Sequence, residues 1–356
     1  MRKTRILFIL KKRDFDYGSF SRDVFSADKP TSGLYNSAYF AEKMLLDSGI
    51  LCKLVEVTDN NFIDKEVHHF KPTHVIIEGL WVVPEKFEIL RKLHPHVKWI
   101  VRIHSEIPFL SMEGIAIDWI VRYLKEDNLI VSCNSPKICE DLRDITQYIF
   151  KNWNQSKLEQ KIILLPNYYP VSDYTIEKRD NREILNIGCF GAIRPLKNQL
   201  IQAVAAIKYA NQHNLKLRFH MNGTRLEQGG ANNFKNIQAL FSHTNHELVV
   251  HPWMPHEEFL SLVHSLDLAM CVSFSETFCI VAADTVNQGV PLVASKEVFW
   301  CMDVSKANPT SVESIVSTIE KVLSPVTRDF FIERNHAKLD KYSQKAKKVW
   351  LGYFKR

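Results

Sequence analysis

Short apolar runs alternate with longer amphipathic segments along the first half of the chain. The apolar runs have the length of buried strands, whereas residues 36–48 place apolar side chains three or four positions apart, as a helix does, and stop at Gly49. The predicted strands of this half are residues 6–10, 51–57, 74–78 and 99–104. Because strands and helices alternate, we predict a parallel sheet that helices cover on both faces.

A second alternating series begins after residues 165–182, a stretch that is first rich in proline and tyrosine and then charged. Its predicted strands are residues 184–190, 217–221, 268–272 and 290–294, and its predicted helices are residues 198–213, 257–265 and 276–288. We therefore predict an α/β protein of two doubly wound, Rossmann-like domains that face each other across a cleft, where the carboxyl ends of the strands bind ligands. The predicted boundaries are 1–166 for the N-terminal domain, 167–183 for the linker, 184–335 for the C-terminal domain and 336–356 for a basic helix that packs back on the N-terminal domain.

Composition narrows the class of protein. With 46% hydrophobic and 24% charged residues, the chain has the profile of a soluble globular protein, and its longest apolar runs are too short to span a bilayer. The first apolar run leads directly into Lys11, Lys12 and Arg13, without the small residues of a signal-peptide cleavage site. The seven cysteines form no CxxC pair. These features predict reduced cysteines and a cytoplasmic location.

Positive charge is concentrated at the two ends of the chain. The net charge is 46 − 40 = +6, and from Asn335 onward Asp340 is the only carboxylate side chain. The basic residues of this last segment are Lys338, Lys341, Lys345, Lys347, Lys348, Lys355 and Arg356. Such runs are usually solvated faces, but they also suit a polyanionic partner, so contact with nucleic acid stays an open hypothesis.

Two acids follow the predicted strand 268–272. Ser275 is suited to cap a helix that begins at Glu276, which places this carboxylate at the carboxyl edge of the sheet. Asp284 would then lie about 12 Å further along the helix axis. Two acids so far apart suit the two ends of an extended ligand, one near a sugar and one near a ribose. The alternative is a capped surface helix with one acid in its first turn and another on its solvent face.

A loop rich in glycine and basic residues follows the predicted strand 184–190. It carries Gly188 and Gly191, then Arg194 and Lys197, and leads into a helix at Asn198. Glycines let the backbone approach a phosphate, the helix N-terminus supplies N–H groups, and the basic side chains supply charge. The spacing is neither that of Walker A nor GxGxxG. The loop indicates a phosphate site of another kind, with a plain surface turn as the alternative.

His104 closes the predicted strand 99–104, where a histidine can bond a substrate hydroxyl or simply serve the structure. The remaining histidines, including His251 and His256, lack the HExxH spacing of a metal site, so we expect no protein-held metal. The sequence also contains no GxSxG motif.

Taken in order, these segments resemble the retaining GT-B glycosyltransferases related to sucrose and glycogen synthases (glycosyltransferase family 4-like), most firmly over residues 184–295. The run from Gly191 to Lys197 is similar to the family's Gly-x5-Lys loop, and the run from Glu276 to Asp284 is similar to its Glu-x7-Glu motif. The resemblance implies that Arg194 and Lys197 bind a donor diphosphate. It also implies that Glu276 faces the donor sugar and Asp284 the ribose.

Two departures from the family pattern leave the donor sugar open. The second acid is Asp284, one methylene shorter than glutamate, and Thr277 stands where glycine is usual.

Other positions match the same family more loosely. Leu165-Pro-Asn-Tyr resembles its interdomain Pro-Asn-Gly element, Asn222-Gly223 resembles its turn on the nucleotide side, and His104 matches the histidine beside the reacting sugar. The resemblance implies catalytic roles for His104, Arg194, Lys197 and Glu276, and diphosphate contacts from Gly33, Gly191, Arg194, Lys197, Thr277 and Phe278. It implies no cofactor besides the donor substrate, and no metal requirement.

The runs 186–198 and 272–278 are also similar to glycosyltransferases of tailed bacteriophages, which often modify hydroxymethylated pyrimidines in phage DNA. This resemblance implies transfer of a hexose or pentose from a UDP-sugar to 5-hydroxymethylcytosine in double-stranded DNA. Three alternatives remain: a cell-surface glycan or lipopolysaccharide acceptor, a non-catalytic DNA-binding relative, and a GT-B sugar-nucleotide epimerase, which needs no acceptor.

Overall fold

The computed structural model describes residues 3–12, 32–176 and 183–355 of the 356-residue chain. These residues form two compact units. The first contains residues 3–12, 32–170 and 343–355, and the second contains residues 171–176 and 183–342. Part of the predicted linker, residues 177–182, lies outside the described residues.

A parallel sheet forms the first unit, and its described strands follow the order β2-β1-β3-β4-β5-β6. The strands are β1 (Arg5–Lys11), β2 (Leu51–Val57), β3 (His74–Glu78), β4 (Lys98–Ile103), β5 (Leu129–Cys133) and β6 (Ile162–Leu164). The helices are α1 (Gly33–Asp47), α2 (Phe62–Phe70), α3 (Pro84–Leu93), α4 (Ile107–Leu110), α5 (Ala116–Lys125), α6 (Pro136–Ile149) and α7 (Gln155–Lys161).

Strand β1 is buried on both of its faces. Successive side chains of a strand point to opposite sides of the sheet. Accordingly, Leu7 and Ile9 belong to one apolar cluster, whereas Ile6 and Phe8 belong to another. This packing explains why the strand sequences read as continuous apolar runs and not as alternating ones.

The second unit is built around another parallel sheet, whose described strands follow the order β11-β10-β7-β8-β9. The strands are β7 (Ile184–Gly188), β8 (Lys216–Asn222), β9 (Glu247–His251), β10 (Leu268–Cys271) and β11 (Leu292–Ala294). The helices are α8 (Gln199–Gln212), α9 (Gly230–Ser242), α10 (His256–His264), α11 (Ile280–Asn287) and α12 (Val312–Leu323), and α13 (Arg328–Phe354) closes the chain. The predicted α/β fold with parallel sheets is thereby confirmed.

The helices α11 and α1 start several residues away from their predicted positions. The helix predicted from Glu276 begins only at Ile280, because Cys279 adopts a left-handed backbone with φ +64°, which a right-handed helix cannot include. The helix predicted from residue 36 begins at Gly33, because the Ser32 hydroxyl accepts a hydrogen bond from the Tyr35 N–H at 3.1 Å and caps it.

The last helix, α13, begins at Arg328, earlier than the predicted residue 336, and from Ser343 onward its residues belong to the first unit. Trp350 is 0% exposed there and donates from Nε1 to the carbonyl of Pro166 at 2.7 Å. Its ring centroid lies 6.0 Å from that of Phe8, and the Arg102 guanidinium lies 5.1 Å from the indole. The end of α13 is therefore part of the core of the first unit.

Replacing Trp350 with alanine should lower the free energy of unfolding by about 3–5 kcal/mol, because a large buried ring and its hydrogen bond are both lost. Urea denaturation followed by circular dichroism measures this change. The neighbouring Val349→Ala serves as the control, since Val349 is 38% exposed and its loss should change stability by less than about 0.5 kcal/mol. Equal stabilities of the two variants would contradict the assigned role of Trp350.

Candidate functional site

Two asparagine side chains fix the loop that follows β7. Gly191, with φ +110°, donates its N–H to the Oδ1 of Asn222 at 3.1 Å, which ties the loop to the end of β8. At the other end of the loop, the Asn198 amide donates to the carbonyls of Val272 at 3.0 Å and Pro309 at 2.8 Å. The loop is thus held at the carboxyl edge of the sheet, where the sequence predicts ligand binding.

Lys197 and Glu276 form an ion pair at this edge. The Lys197 Nζ donates to the Glu276 Oε1, which also accepts from the Ser273 hydroxyl at 2.9 Å. The two side chains are only 14% and 8% exposed. Burial alone would lower the pKa of Lys197, but the carboxylate of Glu276 outweighs burial and raises it, so the lysine stays a cation. The structure therefore brings together two residues that the sequence assigned to different parts of a ligand.

A carboxylate that the sequence analysis missed links Arg194 to a second arginine. Glu227 accepts from Arg194 Nη1 at 3.2 Å and from Arg225 Nε at 2.7 Å, and the Arg225 guanidinium lies 5.2 Å from the ring of Trp253. The main chain of Ile193 bonds to both Arg225 and Glu227 at 2.9 Å. No local pattern reveals this contact, because it arises from two loops that follow different strands.

Close backbone packing explains two glycines beside these loops. A Cβ on Gly230 would lie 1.9 Å from the carbonyl oxygen of Ile193, and a Cβ on Gly223 would lie 2.2 Å from the Val250 Cγ1. Asn222, which precedes Gly223, is buried at the end of β8. The predicted turn at residues 222–223 therefore lies beside the loop of Gly191, although its contact with a nucleotide stays a prediction.

Asp284 lies inside α11, and its carboxylate is bound by His256. The His256 Nε2 donates to the Asp284 Oδ1 at 2.9 Å, and the side chains are 21% and 2% exposed, respectively. Burial alone would lower the pKa of His256, but the hydrogen bond and the charge of Asp284 outweigh burial and raise it. The expected spacing of about 12 Å between Asp284 and Glu276 does not apply, because Glu276 precedes the helix. The spacing of the histidines bears only on metal binding and gives no signal for this contact, which joins residues 28 positions apart in the chain.

Phe278 is part of the core of the second unit. It is 0% exposed, its ring stacks on that of Tyr342 at 5.2 Å, and its carbonyl accepts from the Trp300 Nε1 at 2.7 Å. Thr277 lies beside it and is half-buried. Any contact of Phe278 with a diphosphate would therefore involve the main chain and not the ring.

In the first unit, both ring nitrogens of His104 are engaged by protein groups. The Nε2 donates to the buried carboxylate of Glu78 at 2.5 Å, and the amide of Asn134 donates to Nδ1 at 3.3 Å. Burial, together with the nearby charge of Arg102, lowers the pKa of His104 and outweighs the opposite influence of Glu78. The imidazole is thus neutral and fixed in orientation.

Arg102 and Glu78 form a fully buried ion pair beneath His104. Burial would raise the pKa of Glu78, but the charge of Arg102 and the hydrogen bonds from Arg102 and His104 lower it. Arg102 also donates to the carbonyl of Leu165 at 3.0 Å and to the Asn167 Oδ1 at 2.7 Å, which satisfies the guanidinium. The sequence signal for this pair was an arginine inside an otherwise apolar strand.

Gly33, the remaining predicted contact of this unit, begins α1.

The described residues contain neither a cluster suited to a metal ion nor a helix suited to span a membrane. Within residues 3–12, 32–176 and 183–355, no cluster of three or more His, Cys, Asp or Glu side chains has the arrangement of a metal site. No helix in the described part of the chain combines the length and the apolar character needed to cross a bilayer. Each of the seven cysteines is buried as a free thiol.

Comparison with solved structures identifies the fold. Sucrose-phosphate synthase from Thermosynechococcus elongatus has a TM-score of 0.67 at 13% identity, with 99% of this chain and 98% of that chain covered. The N-terminal domain of Candida albicans trehalose-6-phosphate phosphatase has a TM-score of 0.70 at 12% identity, with 99% and 97% covered. Anabaena HepE in complex with UDP and glucose has a TM-score of 0.64 at 12% identity, with 99% and 98% covered. The chain has the GT-B fold of glycosyltransferases.

A family model for family 4 glycosyltransferases in conflict systems matches residues 142–329, more than half of the chain. The chain belongs to this family and is a glycosyltransferase. No curated protein matches it in sequence. The roles of the individual site residues stay predictions.

Proposed function

We propose that this glycosyltransferase moves a hexose or pentose from a UDP-sugar to the hydroxyl of 5-hydroxymethylcytosine in DNA, with retention of anomeric configuration. The ion pair of Lys197 and Glu276, beside Arg194 at the carboxyl edge of the second sheet, carries the donor half of this proposal. The UDP and glucose bound to Anabaena HepE, a protein of the same fold, support UDP as the nucleotide.

The charges of this edge fit a diphosphate leaving group. As the bond between the sugar C1 and the phosphate oxygen breaks, its electron pair stays on the diphosphate, and Arg194 and Lys197 stabilise the added negative charge. The acceptor oxygen bonds to C1 on the face that the phosphate leaves, and its proton passes to a phosphate oxygen. Glu276 orients the sugar hydroxyls.

His104 has a more limited role in this mechanism. Because Glu78 and Asn134 engage its two ring nitrogens, we assign it no proton transfer. Its neutral, fixed ring suits positioning of the reacting sugar, as the resemblance to family 4 enzymes implies.

The outward face of α13 supports a polyanionic acceptor. Lys338, Lys341, Lys345 and Lys348 follow each other at intervals of three or four positions, so they share one face of the helix, and all four are exposed. Such a row suits the phosphates of a DNA backbone. The target base would leave the stack before reaction, since its hydroxymethyl group has to meet the donor C1.

Replacing Arg194 or Lys197 with alanine should lower the rate of sugar transfer by about 100-fold or more, because each supplies charge to the leaving diphosphate. Release of UDP in steady-state assays measures the effect. Lys208→Ala is the matched control, since Lys208 pairs with Glu313 on the surface of the same unit and its loss should leave the rate unchanged. Wild-type rates in either site variant would contradict the assignment.

Incubation with UDP-sugars and duplex DNA containing 5-hydroxymethylcytosine tests the complete proposal. Digestion and nucleoside mass spectrometry should show the modified base heavier by one hexose or pentose, and the same duplex with unmodified cytosine should show no gain. UDP release without a mass gain on the DNA base would support sugar transfer but contradict a DNA acceptor, and a glycan acceptor would then be favoured. No UDP release from any UDP-sugar would reject the proposed donor.

Replacing Lys338, Lys341, Lys345 and Lys348 together with glutamine should weaken DNA binding and flatten its salt dependence, by up to about 0.9 in the log–log slope for each lost phosphate contact. Fluorescence anisotropy at several salt concentrations measures both quantities. The control removes the same charge from four exposed lysines elsewhere, Lys65, Lys92, Lys125 and Lys151. If the two sets of substitutions have equal effects, α13 is not the DNA-binding surface.

A further inference from the structure

The structure reverses the expected exposure of Asp284 and its neighbour. The Asp284 carboxylate, expected to meet a ribose, is only 2% exposed, whereas the His256 imidazole that binds it is 21% exposed. A ligand approaching this pair therefore meets the histidine first. The short aspartate side chain and the histidine together extend further than the aspartate does alone.

We propose that His256 is the ribose contact of the donor nucleotide and that Asp284 is a positioning residue that acts through it. This inference rests on the proposed function, because it takes the nucleotide-sugar donor and the approximate location of its ribose from there. It changes which side chain contacts the ribose hydroxyls and gives the buried aspartate a different task.

The geometry supports this division of roles. Asp284 Oδ1 accepts from His256 Nε2 at 2.9 Å, which fixes both the orientation and the tautomer of the imidazole. His256 is the first residue of α10 and Asp284 lies in α11, so the hydrogen bond also ties two helices together. An imidazole held in this way can form a hydrogen bond with a sugar hydroxyl, as an acidic side chain longer than aspartate would.

The paired histidine also explains how the protein accommodates a buried aspartate at position 284. A buried carboxylate needs a partner, and the hydrogen-bonded histidine satisfies this need. The charge of Asp284 raises the pKa of His256 against the effect of burial, which keeps a proton available on the imidazole. We therefore expect the two side chains to act together, with His256 contacting the ligand and Asp284 holding His256 in place.

Binding measurements without sugar transfer test the proposal. They combine removal of the His256 side chain with removal of one ribose hydroxyl from the ligand. Calorimetry would compare UDP, 2′-deoxy-UDP and 3′-deoxy-UDP as ligands of the wild-type chain and of the His256→Ala variant. We expect the wild type to bind UDP about tenfold more tightly than at least one deoxy analogue, as for one lost hydrogen bond. In the variant, the affinities for UDP and for that analogue should differ by no more than about twofold, because the group that bonds the hydroxyl is gone.

Two further variants separate a ribose contact from a purely structural role. His264→Ala is the matched control, because His264 lies on the same helix and its Nδ1 bonds the carbonyl of Gln288 at 3.1 Å. The His264→Ala variant should keep the tenfold difference in affinity between UDP and the deoxy analogue. His256→Gln retains an amide that can donate to Asp284, so it supplies a folded variant if the alanine variant unfolds, and its ratio should also fall.

The outcomes distinguish this inference from the proposed function. If the wild type binds no UDP, both are overturned. Three outcomes overturn only the role of His256. In the first, the wild type binds UDP and both deoxy analogues equally well, and in the second, both His256 variants keep the wild-type ratio of affinities for UDP and the deoxy analogue. In the third, Asp284→Asn loses this ratio while His256→Ala keeps it. The last of these would make Asp284 the ribose contact.

Discussion

Burial of the central strands on both faces is the constraint on which the rest of this structure depends. Strand β1 has Leu7 and Ile9 in one apolar cluster and Ile6 and Phe8 in another, so helices have to cover both sides of its sheet. Parallel pairing then places the carboxyl ends of all strands at one edge. In the second unit, the loop after β7 meets two neighbouring segments at such an edge: its Gly191 bonds Asn222 at the end of β8, and its Lys197 bonds Glu276 after β10.

Charged groups at these edges are buried and paired. Arg102 with Glu78, Lys197 with Glu276, and His256 with Asp284 each combine a cation or a histidine with a carboxylate of low exposure. Removal of one partner would leave the other charge desolvated, which is the costly change in such pairs. The pairs therefore position functional side chains, and they make the free energy of the folded chain sensitive to the same residues.

The two units use this arrangement differently. In the first unit, the pair of Arg102 and Glu78 lies fully in the interior, where it fixes the ring of His104 and contacts the C-terminal Trp350. In the second unit, the pairs keep a small exposed fraction, so their charges are available to a ligand. The first pair thus supports a neutral, oriented group, while the pairs of the second unit present charge to a diphosphate and a ribose, as proposed above.

Local sequence was sufficient for the fold class and for locating the loop that carries Lys197. The apolar runs predicted eight of the eleven described strands, because buried parallel strands need apolar side chains on both faces, but they missed β5, β6 and β9. The loop from Gly191 to Lys197 was recognisable because its residue types and spacing lie in one short segment. A suitable cap alone did not determine where a helix starts: Ser275 can cap a helix, but the left-handed backbone at Cys279 delays the helix to Ile280.

What only the tertiary structure decided is which of these residues meet. Glu227 bridges Arg194 and Arg225, and His256 covers Asp284, although each contact joins segments that are far apart in the chain. Hydrophobic periodicity determines whether a segment is a strand or a helix, since it depends on neighbours a few residues away. Ion pairs and exposure depend on distances between loops, and those distances are set when the sheets and helices pack together.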